Sequence, residues 1–214
     1  MDEKYNKLID HTMLKAIATK ADIEKLCNEA IEYDFASVCV NGCWVPFCKE
    51  KLKGTDVKVC TVIGFPLGAM TTAAKVFECK DAIKNGAQEI DMVMNIGALK
   101  DKNYDFVKQE VQEVVNAAEG NVVKVIIETC VLTDDEIRIA SQLCVEANAT
   151  FVKTSTGFNT AGANVHVVKI MKEAVQKKAL IKAAGGVRSK EDLKAMVEVG
   201  ANRIGTSSGV SLVK

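Results

Sequence analysis

The sequence predicts an α/β fold, a (β/α)8 barrel of the TIM type formed by a single domain over residues 1–214. Short apolar runs rich in valine, isoleucine and cysteine alternate with amphipathic helical segments along almost the whole chain. Repeated strand–helix units with short connections favour right-handed crossovers and a parallel sheet. A length of 214 residues also suits such a barrel, which often occupies roughly 200–250 residues.

Seven segments have the composition and bounding turns of buried strands. They are Ala36–Asn41, Val57–Ile63, Glu89–Asn95, Val122–Glu128, Thr150–Ser155, Leu180–Ala184 and Arg203–Thr206. Leu8–His11 could supply an eighth strand, which would close the barrel. Without that strand, an open doubly wound sheet is the alternative.

Helix boundaries are marked by local signals between these strands. Three segments resemble capping boxes, in which a hydroxyl residue precedes an acidic residue by three positions: Thr19 with Asp22, Thr133 with Glu136 and Ser189 with Asp192. Gly86, Gly120 and Gly200 follow helical patterns, where a left-handed residue commonly ends a helix. No linker or low-complexity stretch divides the chain, which favours one domain.

Composition narrows the possible functions. The 28 acidic and 28 basic residues balance, which argues against binding of nucleic acid or an anionic membrane surface. The sequence has no run approaching the ~20 apolar residues of a membrane span and no signal peptide, so a cytoplasmic location is expected. The densest cysteine group is Cys39, Cys43 and Cys48, whose spacing is wrong for a metal site. We therefore expect reduced thiols, no metal and no cofactor.

Charged residues within the predicted strands indicate chemistry. Lys153, Lys182 and Asp91 lie near the carboxyl ends of apolar strands, where barrel enzymes collect their catalytic groups, and Lys124 lies within another strand. A purely structural explanation for these charged residues would be separate salt bridges, or lysines that extend into solvent at the barrel rim. Two lysines and an aspartate at matching depth favour a functional one instead.

These three residues suit covalent catalysis on a carbonyl group. A lysine nucleophile must be neutral, and burial or a second nearby cation favours the neutral amine. Asp91 could then transfer protons during imine formation and breakdown. From the residues alone, either lysine could be the nucleophile.

Glycine-rich turns after the last two strands predict a phosphate site. Gly185 and Gly186 follow one strand, and Ser207 and Ser208 follow the next. Barrels often bind phosphate with these two loops, through backbone N–H groups and hydroxyls. A further donor could come from the Thr154–Gly157 loop. Separately, Cys39 could face the mouth of the barrel, and we hypothesise that reactive aldehydes attack it.

Six sequence blocks, in order and spanning nearly the whole chain, resemble the deoxyribose-phosphate aldolase family. They are DHTMLK (10–15), EIDMVMN (89–95), KVIIET (124–129), FVKTSTGF (151–158), KAAGGVR (182–188) and RIGTSSG (203–209). The resemblance implies a TIM barrel and a metal-independent class I aldolase. It also implies the reaction, which is reversible cleavage of 2-deoxy-D-ribose 5-phosphate to acetaldehyde and D-glyceraldehyde 3-phosphate.

The resemblance assigns roles residue by residue. It implies that Lys153 forms the Schiff base, that Lys182 keeps Lys153 deprotonated and that Asp91 shuttles protons. Asp10 and Lys124 match supporting polar positions, and the implied phosphate cradle is Gly157, Gly185, Gly186, Ser207 and Ser208. The chain departs from the family pattern at Asn41–Gly42 and at Ala16, where proline is often found, which puts loop rigidity in doubt.

Two alternatives remain open from the sequence. One is a class I aldolase for a different sugar phosphate; the other is a non-catalytic sugar-phosphate-binding barrel or an assembly subunit. A binding protein has no need of two buried lysines beside a carboxylate, which counts against the second. A sugar phosphate is the expected ligand, and a homodimer is possible, although the sequence identifies no interface.

Overall fold

Eight parallel strands form a closed barrel in chain order in the computed structural model, which describes residues 3–214. The strands are β1 (Ile9–Met13), β2 (Ser37–Val40), β3 (Lys58–Ile63), β4 (Glu89–Val93), β5 (Val122–Ile126), β6 (Phe151–Lys153), β7 (Leu180–Ala184) and β8 (Arg203–Thr206). β1 pairs with β2 on one side and with β8 on the other. This closure confirms the predicted barrel and the eighth strand, and it excludes the open sheet.

Helices surround the barrel. They are α1 (Lys20–Glu32), α2 (Val45–Lys51), α3 (Thr72–Asn85), α4 (Ile96–Lys100), α5 (Tyr104–Ala117), α6 (Asp134–Glu146), α7 (Val165–Val175), α8 (Lys190–Glu198) and α9 (Gly209–Val213). Short 3-10 segments lie at Glu3–Leu8, Gly42–Trp44 and Thr129–Val131. No helix among residues 3–214 has the length and apolar character that crossing a membrane requires.

The predicted capping boxes are confirmed. Thr19, Thr133 and Ser189 each accept a bond from the backbone N–H three residues on, and each backbone N–H is bonded in return by the acidic side chain there. Gly86 ends α3 in the left-handed conformation, with φ of 113°. These signals set where the helices begin and end, so they also set the lengths of the loops at the barrel mouth.

The main apolar core lies between the strands and the helices. Outward-facing strand residues such as Val38, Ile90 and Val152 pack there against buried helix residues such as Leu26 and Val111. A separate, smaller apolar cluster consists of Leu14, Cys39, Cys60 and Val62, with Phe65 packed against it. The barrel interior therefore holds its own apolar surface beside the polar groups described below.

A buried ion pair outside the barrel fixes the end of β4. Lys75 of α3 and Glu110 of α5 approach to 2.8 Å, and neither side chain is exposed. The Lys75 ammonium also donates to the Val93 carbonyl at 2.9 Å, and Glu110 accepts from the backbone N–H of Asn95 at 3.1 Å. Two helices thus hold the backbone just after Asp91 by polar contacts.

Candidate active site

The three predicted catalytic residues meet inside the barrel. The Asp91 Oδ2 atom accepts from the Lys153 and Lys182 ammonium nitrogens, each at 2.7 Å, and Oδ1 accepts from Lys124 at 2.9 Å. Strand register explains the convergence, because Lys153 pairs with Lys182 across β6 and β7, and Asp91 pairs with Lys124 across β4 and β5. Their predicted matching depth is therefore confirmed.

Asp10 connects to the same network from β1. Its Oδ2 atom lies 2.6 Å from the Lys182 nitrogen, and its Oδ1 atom accepts from Ser37 and Arg203, both at 2.6 Å. Below them, Glu89 pairs with Lys124 at 2.5 Å and with Arg203 at 3.1 Å. Sequence reasoning missed Glu89, Arg203 and Ser37, although all three lie within predicted strands.

We call the resulting cluster the interior charge network. It consists of four cationic side chains and three carboxylates joined by ion pairs: Lys124, Lys153, Lys182 and Arg203 with Asp10, Glu89 and Asp91. The carboxylates are one fewer than the cations. If all seven groups were ionised, the network would carry one surplus positive charge.

Electrostatics hold most of this network ionised. Burial acts to raise the pKa of Asp91, but the ammonium groups of Lys124, Lys153 and Lys182 outweigh it and hold the pKa well below its usual range. Burial also acts to raise the pKa of Asp10, but the neighbouring cations outweigh burial and lower that pKa. Burial acts to lower the pKa of Lys182, yet the Asp10 and Asp91 carboxylates raise it above its usual value.

Lys124 is held charged by a similar arrangement. Burial acts to lower its pKa, and the nearby anionic groups, Asp91 first among them, raise it well above the usual value. The lysines also differ in solvent exposure: 3% of the surface of Lys153 is exposed, whereas Lys124 and Lys182 are fully buried. Of these three lysines, Lys153 alone retains any exposed surface.

The predicted phosphate-binding residues lie in adjoining loops. Gly157, Gly185 and Gly186 all have positive φ, between 77° and 83°. A Cβ built on Gly185 would lie 3.5 Å from the Gly157 Cα, so the loops after β6 and β7 are in contact. The Thr206 hydroxyl, beside Ser207, donates to the Val187 carbonyl at 3.0 Å and ties the loop after β7 to the loop after β8.

Ser207 and Ser208 border a separate cleft of about 450 Å³. Its other walls include His11 of β1, Glu29 of α1 and Lys214. The two serines therefore line a cleft whose walls do not include the three glycines.

A family model described as DeoC/LacD family aldolase matches residues 5–213, almost the whole chain. The chain belongs to the DeoC/LacD aldolase family. This confirms the resemblance to known aldolases, and it confirms the prediction that the protein is an enzyme of the aldolase class.

Individual relatives agree with this family assignment. Deoxyribose-phosphate aldolase 1 of Mesoplasma florum is 59% identical over 211 residues, which cover 99% of this chain and 96% of the relative. A deoxyribose-phosphate aldolase of Thermoanaerobacter sp. is 60% identical over 211 residues, covering 97% and 95%. Among solved structures, the deoxyribose phosphate aldolase of Aeropyrum pernix, described as a unique tetramer, superposes with a TM-score of 0.92 at 33% identity and covers 99% of this chain and 90% of its own.

In this DeoC/LacD family aldolase, a further buried carboxylate holds the loop that follows Lys153. Glu128 accepts from the Thr156 backbone N–H at 3.1 Å and from the Thr156 hydroxyl at 2.6 Å. Glu128 itself adopts a left-handed backbone, with φ of 52°, which is uncommon outside glycine. Sequence reasoning did not single out this carboxylate.

Gly162 is a second position of the aldolase that sequence reasoning missed. A Cβ built on it would lie 2.2 Å from the Gly185 carbonyl oxygen, so only glycine fits at this crossing of two loops. The Ala163 N–H donates to the Gly185 carbonyl at 2.9 Å and keeps the loops together. The signal in the sequence is the glycine itself, four residues after Phe158.

Proposed function

We propose that this aldolase reversibly cleaves 2-deoxy-D-ribose 5-phosphate to acetaldehyde and D-glyceraldehyde 3-phosphate through a Schiff base on Lys153. The observation that carries the proposal is the charge count of the interior network. Three carboxylates match three cations, and one amine is left over. In a site shielded from solvent, a surplus positive charge is costly, so one lysine is favoured as the neutral amine.

Lys153 is the best candidate for this surplus amine. Lys182 contacts both Asp10 and Asp91, and Lys124 contacts both Glu89 and Asp91, so each is held charged by two carboxylates. Lys153 has an ion pair with Asp91 alone, and it shares that oxygen with Lys182. Lys153 also retains the exposed surface that an incoming aldehyde needs.

The reaction follows from these positions. Lys153 Nζ attacks the C1 aldehyde of the open-chain sugar phosphate, and the carbinolamine loses water to give an iminium ion. This ion accepts the electron pair of the C2–C3 bond as the C3 hydroxyl loses its proton, which releases D-glyceraldehyde 3-phosphate and leaves an enamine on Lys153. Protonation at C2 and hydrolysis then release acetaldehyde and restore the amine.

Asp91 and Lys182 are the proposed acid–base pair for these steps. Because cations keep Asp91 ionised, it is better suited to passing a proton on than to storing one. The Lys182 ammonium, 2.7 Å from the same oxygen that contacts Lys153, is placed to supply a proton in return. Asp10 and Lys124 would support this pair by fixing its charges.

The phosphate would bind at Gly157, Gly185, Gly186, Ser207 and Ser208. Positive φ at the glycines gives their backbone N–H groups directions that an ordinary residue rarely permits, and the serine hydroxyls would add donors. Binding of the phosphate away from the reacting carbon would position C1 near Lys153. This placement favours a phosphorylated aldehyde sugar as substrate.

The experiment is reductive trapping with acetaldehyde and borohydride, followed by peptide mass spectrometry. We expect a single adduct on Lys153, loss of that adduct in Lys153→Ala, and loss of cleavage of deoxyribose 5-phosphate in the same variant. Other sugar phosphates assayed beside it distinguish the main proposal from a class I aldolase of different specificity. An unmodified Lys153, or a Lys153→Ala enzyme that still cleaves the substrate, would overturn the mechanism.

Assembly and location remain predictions. The tetramer described for the Aeropyrum pernix relative supports self-association, and a homodimer is one possible assembly of this chain. Light scattering at several protein concentrations tests it. A cytoplasmic location also remains an expectation.

A further inference from the structure

Two cysteines and Asp91 converge on one point inside the barrel. Cys39 of β2 and Cys60 of β3 are register partners on neighbouring strands, and neither is exposed. The Cys60 thiol donates to Asp91 Oδ1 at 3.2 Å. The two sulfurs and an Asp91 carboxylate oxygen all lie within 4.8 Å of one another, which is the one such triad of possible metal ligands in the described chain.

The cysteine group suggested by sequence spacing is arranged differently. Cys48 packs in the main core against the helices, and Cys43 is exposed, so neither joins Cys39 inside the barrel. The strand pairing instead brings Cys60, which is 21 positions further along the chain, beside Cys39. A metal site could not be seen from the spacing of cysteines, because its ligands come from three consecutive strands.

The ligand set has a clear chemical preference. Thiolates select soft or borderline cations such as zinc, cadmium and cobalt, and two thiolates with one carboxylate leave a fourth tetrahedral position open. Two sulfurs bound to one tetrahedral zinc ion at ~2.3 Å stand roughly 3.8 Å apart. The observed spacing, within 4.8 Å, requires only a small closing movement of the side chains.

The Lys124 ammonium lies against the site, 3.4 Å from the Cys60 sulfur and 2.9 Å from Asp91 Oδ1, so the charge of a bound ion has to be offset. A divalent cation that displaces both thiol protons into solvent leaves the charge of the site unchanged, since two positive charges enter and two leave. No electron changes hands.

We propose that Cys39, Cys60 and Asp91 form an inhibitory binding site for a thiophilic divalent cation. The bound ion would occupy the Asp91 oxygen that now accepts from Cys60 and Lys124. It would thereby remove Asp91 from proton transfer and block the approach to Lys153. The binding stands on the ligand geometry alone, whereas the inhibition rests on the function proposed for Asp91.

The test of binding is titration of the metal-free protein with cobalt(II), followed through the near-ultraviolet thiolate-to-cobalt absorption. We expect about one thiolate-bound cobalt per chain, with the absorption reduced by at least half in Cys39→Ser and in Cys60→Ser. The matched controls are Cys43→Ser and Cys130→Ser, which change cysteines outside the triad and should keep the full absorption. No absorption in the wild type, or full absorption in Cys39→Ser, would overturn the site.

A crystal of the wild-type protein soaked in cadmium provides a measurement that needs no variant. An anomalous peak between Cys39, Cys60 and Asp91 supports the site, and peaks confined to other cysteines contradict it. Zinc at one equivalent should then lower aldolase activity at least tenfold, and a chelator should restore it. Binding without inhibition would overturn the inhibitory role. Borohydride trapping on the metal-free enzyme separately tests the proposed function.

Discussion

Replacing Lys182 by methionine would remove one cation from the interior charge network while keeping a side chain of similar length. Lys124, Arg203 and Lys153 would then be the only cations of that network, and they would face three carboxylates. Lys153 would change from a surplus amine to a required counter-ion of Asp91. We therefore expect Lys182→Met to stop catalysis by keeping Lys153 protonated, even though Lys153 itself is untouched.

The size of the effect can be worked from the distances. Both ammonium nitrogens lie 2.7 Å from Asp91 Oδ2, so they are at most twice that distance, about 5.4 Å, apart. Two unit charges at that separation repel by about 3 kcal/mol at an effective dielectric constant of about 20. Since about 1.4 kcal/mol corresponds to a tenfold change in an equilibrium, loss of Lys182 should slow borohydride trapping on Lys153 roughly a hundredfold near pH 7.

The assay is the rate of borohydride trapping of acetaldehyde on Lys153, measured against pH with the adduct mapped by mass spectrometry. Lys75→Met is the matched control, because Lys75 is equally buried and ion-paired but lies outside the barrel. Both variants should lose stability, by about 3–5 kcal/mol for a broken buried pair. Only Lys182→Met should slow trapping near pH 7. A folded Lys182→Met protein that traps acetaldehyde at the wild-type rate would refute the reasoning.

Three further predictions concern the cradle, the loop and the network. At Gly186, where φ is 83° and a Cβ would meet open space, substitution by valine should raise KM for the phosphorylated sugar at least tenfold more than for its unphosphorylated analogue; equal effects would contradict a phosphate cradle. Glu128→Gln should weaken one charge-assisted bond to Thr156, which is worth about 1.5–3 kcal/mol. This variant should lower kcat more than it raises KM. The control Thr156→Ser keeps the hydroxyl, so its kinetics should stay near those of the wild type. Because the pKa values of Asp10 and Asp91 are lowered from 3.8, their stabilisation is present above that pH and lost as pH falls below it; urea unfolding at about pH 5 and about pH 3 should show this loss, and a smaller one in Asp10→Asn.

The strands and the principal charged residues could be predicted from the sequence because both depend on local pattern. Buried parallel strands consist of short apolar runs, so Lys153 and Lys182 stood out within theirs. Their matching depth followed from equal distances to the ends of the runs. The strand bounds were less accurate: β6 is Phe151–Lys153, shorter than the predicted Thr150–Ser155, because the chain leaves the ladder once Thr154 and Ser155 begin the loop.

The partners of these residues could not be predicted, because they are set by barrel closure. Arg203 can contact Glu89 and Asp10 because β8 pairs with β1 and all three side chains point inward. Cys60 meets Cys39 through strand register, and no spacing along the chain encodes that contact. Glu128 resembled an ordinary strand-end residue, and its left-handed backbone became evident only in the structure.

The arrangement of the interior charge network explains why so many ionised groups are buried together. A buried ion pair rarely stabilises a protein more than well-packed apolar residues of the same size would, so stability alone does not account for seven buried charged groups. Glu89 pairs with Lys124, Arg203 pairs with Asp10, and Glu89 and Arg203 also pair with each other. Lys124 and Lys182 can then hold Asp91 ionised beside Lys153. In the proposed mechanism, these supporting charges leave Lys153 without a carboxylate of its own, because it shares the Asp91 oxygen with Lys182.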